Sequence, residues 1–278
     1  PKEPWAYRNK MQMPVGGTKG NILMGFYAMG SHDIVQGTNC PIQDEGNNII
    51  AQACYQIAKE FDIEPYDEHT GKGILRHVIG RIGQSGWMLI LVTATDHLPH
   101  QEKWVEKLTE RIPQVETIVH NVNSKRTNVI LGPKNHILYG EGIITDHIKD
   151  LQFTLSPHSF FQVNPEQTTV LYDQALAYAD LKGDETVIDA YCGTGTISLF
   201  LAHKAKHVIG IEIVEPAIIN ARENAQRNGY DNTEFIVADA AIEMPKLYKA
   251  GVRPDVIVFD PIRAGCKEEV LTSAAGME

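Results

Sequence analysis

The chain has 278 residues with a formal net charge of −10 and a hydrophobic content of 43%, which is enough for two domains with separate cores. No apolar stretch is long enough to span a bilayer, and the acidic balance gives no support to nucleic-acid binding by bulk electrostatics. Residues 1–150 hold 15 basic against 17 acidic side chains and residues 151–278 hold 10 against 18, so any polyanion is expected to meet the first half.

The cysteines indicate a reducing compartment. Cys40, Cys54, Cys192 and Cys266 lie far apart and form no C-x-x-C pair. This spacing argues against a disulfide framework and against a self-contained zinc site. No charged-then-apolar leader points to secretion. We therefore expect a cytoplasmic protein without a metal in this polypeptide.

The first half alternates between strand and helix patterns. Residues 11–15 and 22–28 predict a hairpin across a glycine-rich turn, and residues 74–81 and 87–95 predict a second strand pair. Apolar residues at helical spacing predict helices over Asn48–Phe61 and Gln101–Ile112. A further hairpin is predicted from residues 117–123 and 127–131. These elements predict an α+β domain over residues 1–150.

A bridge over residues 152–164 follows, as a strand and then a loop. Two aromatic residues, Phe160 and Phe161, stand beside the carboxamide of Gln162 between two prolines. This composition suits a loop that stacks a flat ring and hydrogen-bonds its polar edge. Alternatively, the two phenylalanines fill the domain junction as apolar packing residues. Composition leaves both interpretations open. A long helix is predicted over Glu166–Leu181.

The stretch Thr186–Thr196 is the strongest local signal. A β-branched run ends in Asp189, and glycines follow at Gly193 and Gly195 before a helical pattern. This order predicts a strand, a tight turn and a helix. Glycine is needed where the backbone takes positive φ or where a ligand approaches closely.

Three further strand patterns lead to acidic residues, namely Glu212, Asp239 and Asp260. Four strands with acids at their carboxyl ends, alternating with helices, predict a nucleoside-binding doubly wound sheet. Glu212 suits the ribose hydroxyls. Dehydrogenases place a third glycine where this chain has Ser198, so S-adenosylmethionine is favoured over a nicotinamide cofactor. A purely structural α/β sheet is the alternative.

Several motifs together resemble one enzyme family. They are Ser-Phe-Phe-Gln-Val-Asn-Pro at 159–165, Asp-Ala-Tyr-Cys-Gly-Thr-Gly at 189–195 and Asp-Pro-Ile-Arg-Ala-Gly-Cys at 260–266, with Trp-Ala-Tyr-Arg-Asn-Lys at 5–10 upstream. In this order and spacing the chain resembles the RNA (uracil-5-)-methyltransferases, the 5-methyluridine methyltransferases of 23S ribosomal RNA and transfer RNA. The resemblance covers essentially the whole chain.

The resemblance implies an α/β fold. A Rossmann-like S-adenosylmethionine-dependent methyltransferase sheet, incomplete at its carboxyl-terminal side, would follow a smaller α+β domain, with residues 151–278 as the first portion of the methyltransferase domain. It implies methylation of carbon 5 of a uridine, with 23S ribosomal RNA favoured over transfer RNA. The implied cofactor-binding residues are Gln162, Tyr191, Gly193, Gly195, Glu212 and Asp260, and Phe160 and Asp260 would contact the target base.

The family's chemistry explains these residue types. A cysteine thiolate adds to carbon 6 of a flipped-out uracil, and the resulting enolate takes the methyl group. A carboxylate then removes the proton from carbon 5 so that the cysteine can leave. The family places this cysteine in a Ser-Cys-Asn-Pro motif and the base further on, both of which would lie beyond residue 278. We therefore expect a fragment that lacks the catalytic groups and transfers no methyl group by itself.

Two other departures from the family concern Ile262 and Cys40. Many members have a second proline where this chain has Ile262, so the loop after Asp260 is expected to be looser. Cys40 matches the last ligand of an iron–sulfur site found in many members, and one cysteine cannot hold a cluster. Arg263 is interpreted either as a ligand for a phosphate or carboxylate or as one side of a structural salt bridge.

Two other function classes remain open. An amino-directed methyltransferase acting on adenine or cytosine would share the sheet, although an aromatic residue would then be expected at Arg263. An RNA-binding module that keeps only the fold is the second. The run Val256–Phe259 has the composition of a strand buried on both faces. We expect its far edge to be covered by a second copy of the chain or by a missing segment, or the chain near its end to be partly disordered.

Overall fold

The computed structural model describes residues 3–277, which form two compact units. The first unit consists of Pro1–Asp146, Leu155–His158 and Val163–Pro165, and the second of His147–Thr154, Ser159–Gln162 and Glu166–Glu278. The chain therefore passes between the units several times around residues 147–166. Among the described residues, no helix combines the length and the apolar character needed to cross a membrane.

The first unit contains a seven-stranded sheet in the order β3-β2-β1-β4-β5-β6-β7. Its strands are β1 (Lys10–Thr18), β2 (Asn21–Tyr27), β3 (Ile34–Gln36), β4 (Leu75–Ile82), β5 (Trp87–Thr93), β6 (Val115–Val122) and β7 (Lys134–Tyr139). The predicted pairs β1–β2 and β4–β5 are confirmed, and both are antiparallel. β1 continues through Gly16 and Gly17, so the turn lies at residues 19 and 20, beyond the first predicted glycines.

The predicted hairpin of 117–123 with 127–131 is wrong. β6 pairs instead with β7, with His120 opposite His136. The 127–131 stretch is a loop, because the side-chain amide of Asn123 donates to the carbonyl oxygens of Val129 at 2.6 Å and Ile130 at 3.0 Å. Side-chain bonds of this kind satisfy backbone groups that a strand ladder would otherwise use.

Two helices pack on this sheet, and both were predicted. The first, α1 (Glu45–Glu60), begins three residues earlier than expected because the Asp44 carboxylate caps it by accepting from the Gly46 amide at 2.8 Å. The second, α2 (Gln101–Arg111), contributes the fully buried Trp104. Ile50, Ile57 and Trp104 join the apolar side chains of the strands in one core.

The second unit is built on a parallel sheet in the order β12-β11-β10-β13. Its strands are β10 (Thr186–Asp189), β11 (His207–Glu212), β12 (Thr233–Val237) and β13 (Val256–Val258). Its helices are α3 (Pro165–Ala179), α4 (Thr196–Ala202), α5 (Glu215–Arg227), α6 (Ala240–Lys249) and α7 (Glu268–Gly276), and a separate two-stranded sheet contains β8 (Ile144–Ile148) and β9 (Leu151–Leu155). The alternating strands and helices confirm the predicted α/β architecture.

The four acidic residues follow the carboxyl ends of the parallel strands, as predicted, but two of them lie outside the strands. Asp189 and Glu212 are the last residues of β10 and β11. β12 ends two residues before Asp239, which instead caps α6 by accepting from the Ala241 amide at 2.9 Å. β13 ends at Val258, two residues before Asp260.

The edge strand β13 departs from the expected two-sided burial. Val256, Ile257 and Val258 are each only half-buried. Within residues 3–277, β13 pairs with β10 alone. Association of its other edge with a second copy stays a prediction.

Candidate functional site

The turn between β10 and α4 is formed by two glycines in the left-handed region. Gly193 has φ +54° and Gly195 has φ +80°. A Cβ atom built on Gly195 would meet Ala221 and Phe235 at 3.1 Å, whereas one built on Gly193 would meet nothing within 4 Å. A side chain at position 195 would therefore crowd Ala221 and Phe235. Gly193, in contrast, leaves open space beside its backbone.

Glu212 ties this turn to the neighbouring strand. Its Oε2 accepts from the Gly193 amide at 3.3 Å, and its Oε1 accepts from the Val214 amide at 2.9 Å. The contact follows from the parallel pairing of β10 with β11, which brings their carboxyl ends together. The carboxylate is half-buried, and each of its oxygens has lone-pair capacity for a further donor.

Asp189 lies below the turn and is nearly inaccessible to solvent, with 1% of its surface exposed. Its Oδ2 accepts from the Ser198 hydroxyl at 2.6 Å, and its Oδ1 has no hydrogen-bond partner within residues 3–277. Burial raises the pKa of Asp189 to about 6, and the negative charges of Asp260 and Glu212 add to that rise. The site therefore holds a carboxyl group whose charge is poorly compensated by the protein.

Tyr172 on α3 brings two of the predicted residues together, and no sequence motif pointed to it. Its hydroxyl lies 2.9 Å from the Thr196 Oγ1 and hydrogen-bonds the side chain of Gln162. Burial raises the pKa of Tyr172 to about 12, with the charges of Asp260 and Asp189 contributing in the same direction. Gln162 thus bonds this buried hydroxyl, and Asp260, almost 100 positions away in sequence, is close enough for its charge to act on it.

The two adjacent phenylalanines of the 159–165 motif have different environments. Phe161 is buried against Phe153, with ring centroids 5.7 Å apart. Phe160 leaves 66% of its surface exposed, while its carbonyl oxygen accepts from the Thr194 hydroxyl at 3.3 Å. Packing therefore accounts for Phe161, and the Phe160 ring remains available for a ligand beside the glycine turn.

Asn224 on α5 hydrogen-bonds the same turn, and no sequence pattern predicted this contact either. Its side chain is fully buried. The Nδ2 donates to the Thr194 carbonyl at 3.2 Å, and the Oδ1 accepts from the Thr154 amide at 3.0 Å. One side chain thus fixes both the backbone between the two glycines and the end of β9.

The Tyr191 side chain lies beside Cys266, in the stretch after Asp260. Burial raises its pKa to about 12, and a hydrogen bond with the Cys266 thiol contributes to the same shift. Nearby, the Lys267 ammonium lies 2.6 Å from the Asp239 carboxylate and lowers the pKa of Asp239. The stretch after Asp260 is therefore connected to the ends of β10 and β12.

The salt-bridge interpretation of Arg263 finds no support within the described part of the chain. Its side chain is exposed and forms no ion pair with a described residue. Ile262 leaves 78% of its surface exposed, so packing against other described residues does little to fix its position.

Comparisons with known proteins find methyltransferases that are similar to this chain. Residues 181–275 match the family model of a methyltransferase domain. An uncharacterized RNA methyltransferase of Halalkalibacterium halodurans is 51% identical over 99% of this chain, and one of Bacillus cereus is 49% identical over all of it. The chain spans 61% of the length of each of these relatives.

A solved structure has the same fold over nearly the whole chain. The tRNA (uracil-54, C5)-methyltransferase of Pyrococcus abyssi, in complex with S-adenosyl-L-homocysteine, superposes with a TM-score of 0.78. The match covers 98% of this chain and 64% of that one, at 23% sequence identity. The chain therefore has the α/β fold of an S-adenosylmethionine-dependent methyltransferase, which confirms the predicted fold class.

Proposed function

We propose that this chain is part of a cytoplasmic S-adenosylmethionine-dependent RNA methyltransferase that methylates carbon 5 of a uridine, with 23S ribosomal RNA as its substrate. The similarity to proteins named RNA methyltransferases supports the reaction class and the RNA substrate. The observation that carries the proposal is the open turn at Gly193, which is bonded to the Glu212 carboxylate at the end of the next strand. This is the position that a nucleoside occupies in doubly wound sheets.

The residues of the turn fit S-adenosylmethionine. Glu212 is placed to accept hydrogen bonds from the ribose hydroxyls, and Gly193 offers a backbone that nothing shields. The buried Asp189 carboxylate, with one oxygen unpartnered among the described residues, provides negative charge beneath the turn. When bound, S-adenosylmethionine supplies an electrophilic methyl group on a positively charged sulfonium, and that charge suits such a carboxylate.

The RNA side of the reaction is assigned to Phe160 and Asp260, and Gln162 is assigned to the cofactor. The exposed Phe160 ring can stack on an extruded base, which is how single-stranded bases are commonly held. Asp260 is close enough for its charge to act on the Tyr172 hydroxyl, and its carboxylate can hydrogen-bond a polar base edge. These roles, and that of Tyr191, remain proposals drawn from the family resemblance.

The family's nucleophilic cysteine is expected outside these 278 residues. Cys54 and Cys192 are buried, and burial raises the pKa of both thiols. A thiol of raised pKa is a poor source of the thiolate that must attack carbon 6. Cys40 and Cys266 fall in stretches that resemble other parts of the family, so none of the four matches the nucleophile.

Cofactor binding is tested by substituting Glu212 with glutamine in the 278-residue chain. Glu212→Gln should weaken binding of S-adenosyl-L-homocysteine by about 1.5–3 kcal/mol, because a charge-assisted hydrogen bond to the ribose is lost. Titration calorimetry measures the change. The matched control is Glu215→Gln, an exposed carboxylate three positions further on, which should leave binding unchanged. Equal affinities for Glu212→Gln and the parent chain would refute the ribose assignment.

The reaction itself is tested on a form extended to the length of the relatives. With labelled S-adenosylmethionine and both RNA classes, digestion to nucleosides should yield 5-methyluridine from 23S ribosomal RNA. Label in 5-methyluridine from transfer RNA alone would move the substrate to that class. Label in methylated adenosine or cytidine would reject the uridine assignment.

A further inference from the structure

The loop that carries Phe160 and Gln162 runs beside the glycine turn and is joined to it at two points. The Phe160 carbonyl accepts from the Thr194 hydroxyl at 3.3 Å. Two residues further on, the Gln162 side chain hydrogen-bonds the Tyr172 hydroxyl, which lies 2.9 Å from the Thr196 Oγ1. The first connection is direct, and the second passes through Tyr172. The position of the Gln162 carboxamide beside the turn therefore depends on a residue of α3.

Packing holds the Tyr172 ring in place independently of its hydroxyl. Only 2% of the residue is exposed. Its ring meets the edge of the Phe200 ring on α4, with centroids 5.6 Å apart and 63° between the ring planes. Aromatic pairs in this arrangement are favourable beyond the area that they bury. A phenylalanine at position 172 would keep this packing, so the ring contact alone does not account for the hydroxyl.

The hydroxyl of Tyr172 is fully used by its two partners. It carries one proton, so it donates to one partner and accepts from the other. A buried hydroxyl costs free energy unless it is bonded in this way. The bonds connect three segments of the second unit, namely the 159–162 loop, α3 and the start of α4. A rigid helix–helix contact thus supports one polar side chain on a loop.

A glutamine side chain on a loop has many rotamers, and fixing one of them costs conformational entropy. Gln162 is half-buried, so part of its surface remains open to a ligand. The bond to Tyr172 fixes the carboxamide before any ligand arrives. A group that is oriented in advance loses less freedom on binding, and the affinity rises accordingly.

We infer that Tyr172 is a positioning residue for S-adenosylmethionine, because its hydroxyl holds the Gln162 carboxamide in the orientation that the cofactor requires. The contact belongs to the structure itself, whereas its role in cofactor binding rests on the proposed function. Tyr172 acts through Gln162 and needs no contact of its own with the cofactor. The effect of its hydroxyl on binding therefore exists only while the carboxamide is present.

The test is a double-mutant cycle in the 278-residue chain, with binding of S-adenosyl-L-homocysteine measured by titration calorimetry. Tyr172→Phe removes only the hydroxyl and should weaken binding about three- to tenfold, the effect of one hydrogen bond. Gln162→Met keeps the length of the side chain, removes the carboxamide and should weaken binding at least as much. The double variant should bind like Gln162→Met, because coupled residues are not additive.

The matched control is Tyr178→Phe, on the same helix but 82% exposed, which should bind like the parent chain. Multiplication of the two single factors in the double variant would show that the hydroxyl does not act through Gln162 and would overturn the inference. Urea unfolding of each variant measures stability separately. A less stable Tyr172→Phe with the affinity of the parent would mean that the hydroxyl only links α3 to α4, which also overturns the inference.

Side-chain amide signals in ¹⁵N NMR spectra test the contact without any cofactor. The Gln162 pair is the one missing from Gln162→Met, and it should shift in Tyr172→Phe and stay in place in Tyr178→Phe. Unshifted signals in Tyr172→Phe would refute the contact and the inference with it. A parent chain that shows the shift but does not bind S-adenosyl-L-homocysteine would refute the proposed cofactor site as well. Binding by the parent with multiplying factors in the cycle would refute the role of Tyr172 alone.

Discussion

Replacing Asn224 with alanine should lower the free energy of unfolding by about 2–6 kcal/mol and weaken binding of S-adenosyl-L-homocysteine at least tenfold. The substitution leaves the Thr154 amide and the Thr194 carbonyl without their partners, and both residues are buried. Each unpaired buried group costs about 1–3 kcal/mol. Because Thr194 lies between the two glycines, the turn that faces the cofactor loses its support at the same time.

Urea unfolding and titration calorimetry measure the two effects. Gln226→Ala provides the control, because Gln226 is exposed on the same helix and its loss should change stability by less than about 0.5 kcal/mol. If Asn224→Ala binds the cofactor product as tightly as Gln226→Ala does, the turn does not depend on this side chain.

The sequence was informative where chemistry and periodicity act locally. A β-branched run, a terminal acid and two glycines were enough to predict the β10 strand, the turn and α4, because each residue type is required by its own backbone conformation. The parallel pairing then placed Glu212 beside Gly193, as expected for adjacent strand ends.

The contacts that support the turn could not be predicted in this way. Tyr172 and Asn224 reach partners 24 and 30 positions away, respectively, and an interior tyrosine or asparagine of a helix shows no periodic signal for such a contact. Only the packing of α3 and α5 on the sheet brings them to the turn. The false hairpin at 127–131 has a related cause, since the side chain of Asn123 overrides the local strand propensity of Val129 and Ile130.

The meeting of two basic side chains across neighbouring strands could not be predicted from the sequence either. Net charge along the chain is negative in both halves, and no run of basic residues marks the place. Lys10 and Arg81 are 71 positions apart and meet only because β1 pairs with β4 in one particular register. A shift of that register by one residue would send one of the two side chains to the opposite face of the sheet.

Asp189 gives the second large effect, because its charge opposes folding at neutral pH. Its pKa of about 6 in the folded chain exceeds the ordinary aspartate value of 3.8, so the folded state binds more protons between these values. The stability from this group is fully present below pH 3.8 and is lost as pH rises through 6. The loss amounts to about 3 kcal/mol, at 1.36 kcal/mol for each unit of pKa difference.

Asp189→Asn should therefore stabilise the cofactor-free chain at pH 7.5 by up to about 3 kcal/mol and have little effect near pH 4. The amide oxygen can still accept from the Ser198 hydroxyl, which lies 2.6 Å from the present carboxylate. Asp184→Asn, at an exposed position, serves as the control and should change stability little at either pH. Urea unfolding at the two pH values checks both variants.

The Asp189 carboxylate destabilises the cofactor-free protein, and this cost is explained if a cation occupies the site. S-Adenosylmethionine carries a positive sulfonium and S-adenosyl-L-homocysteine a neutral sulfur, so the negative field of Asp189 should favour the former. Asp189→Asn should then lose affinity for S-adenosylmethionine by a larger factor than for S-adenosyl-L-homocysteine, as measured by calorimetry at pH 7.5. An unchanged ratio of the two affinities would show that the buried charge does not act on the methyl donor, and its cost in stability would need another explanation.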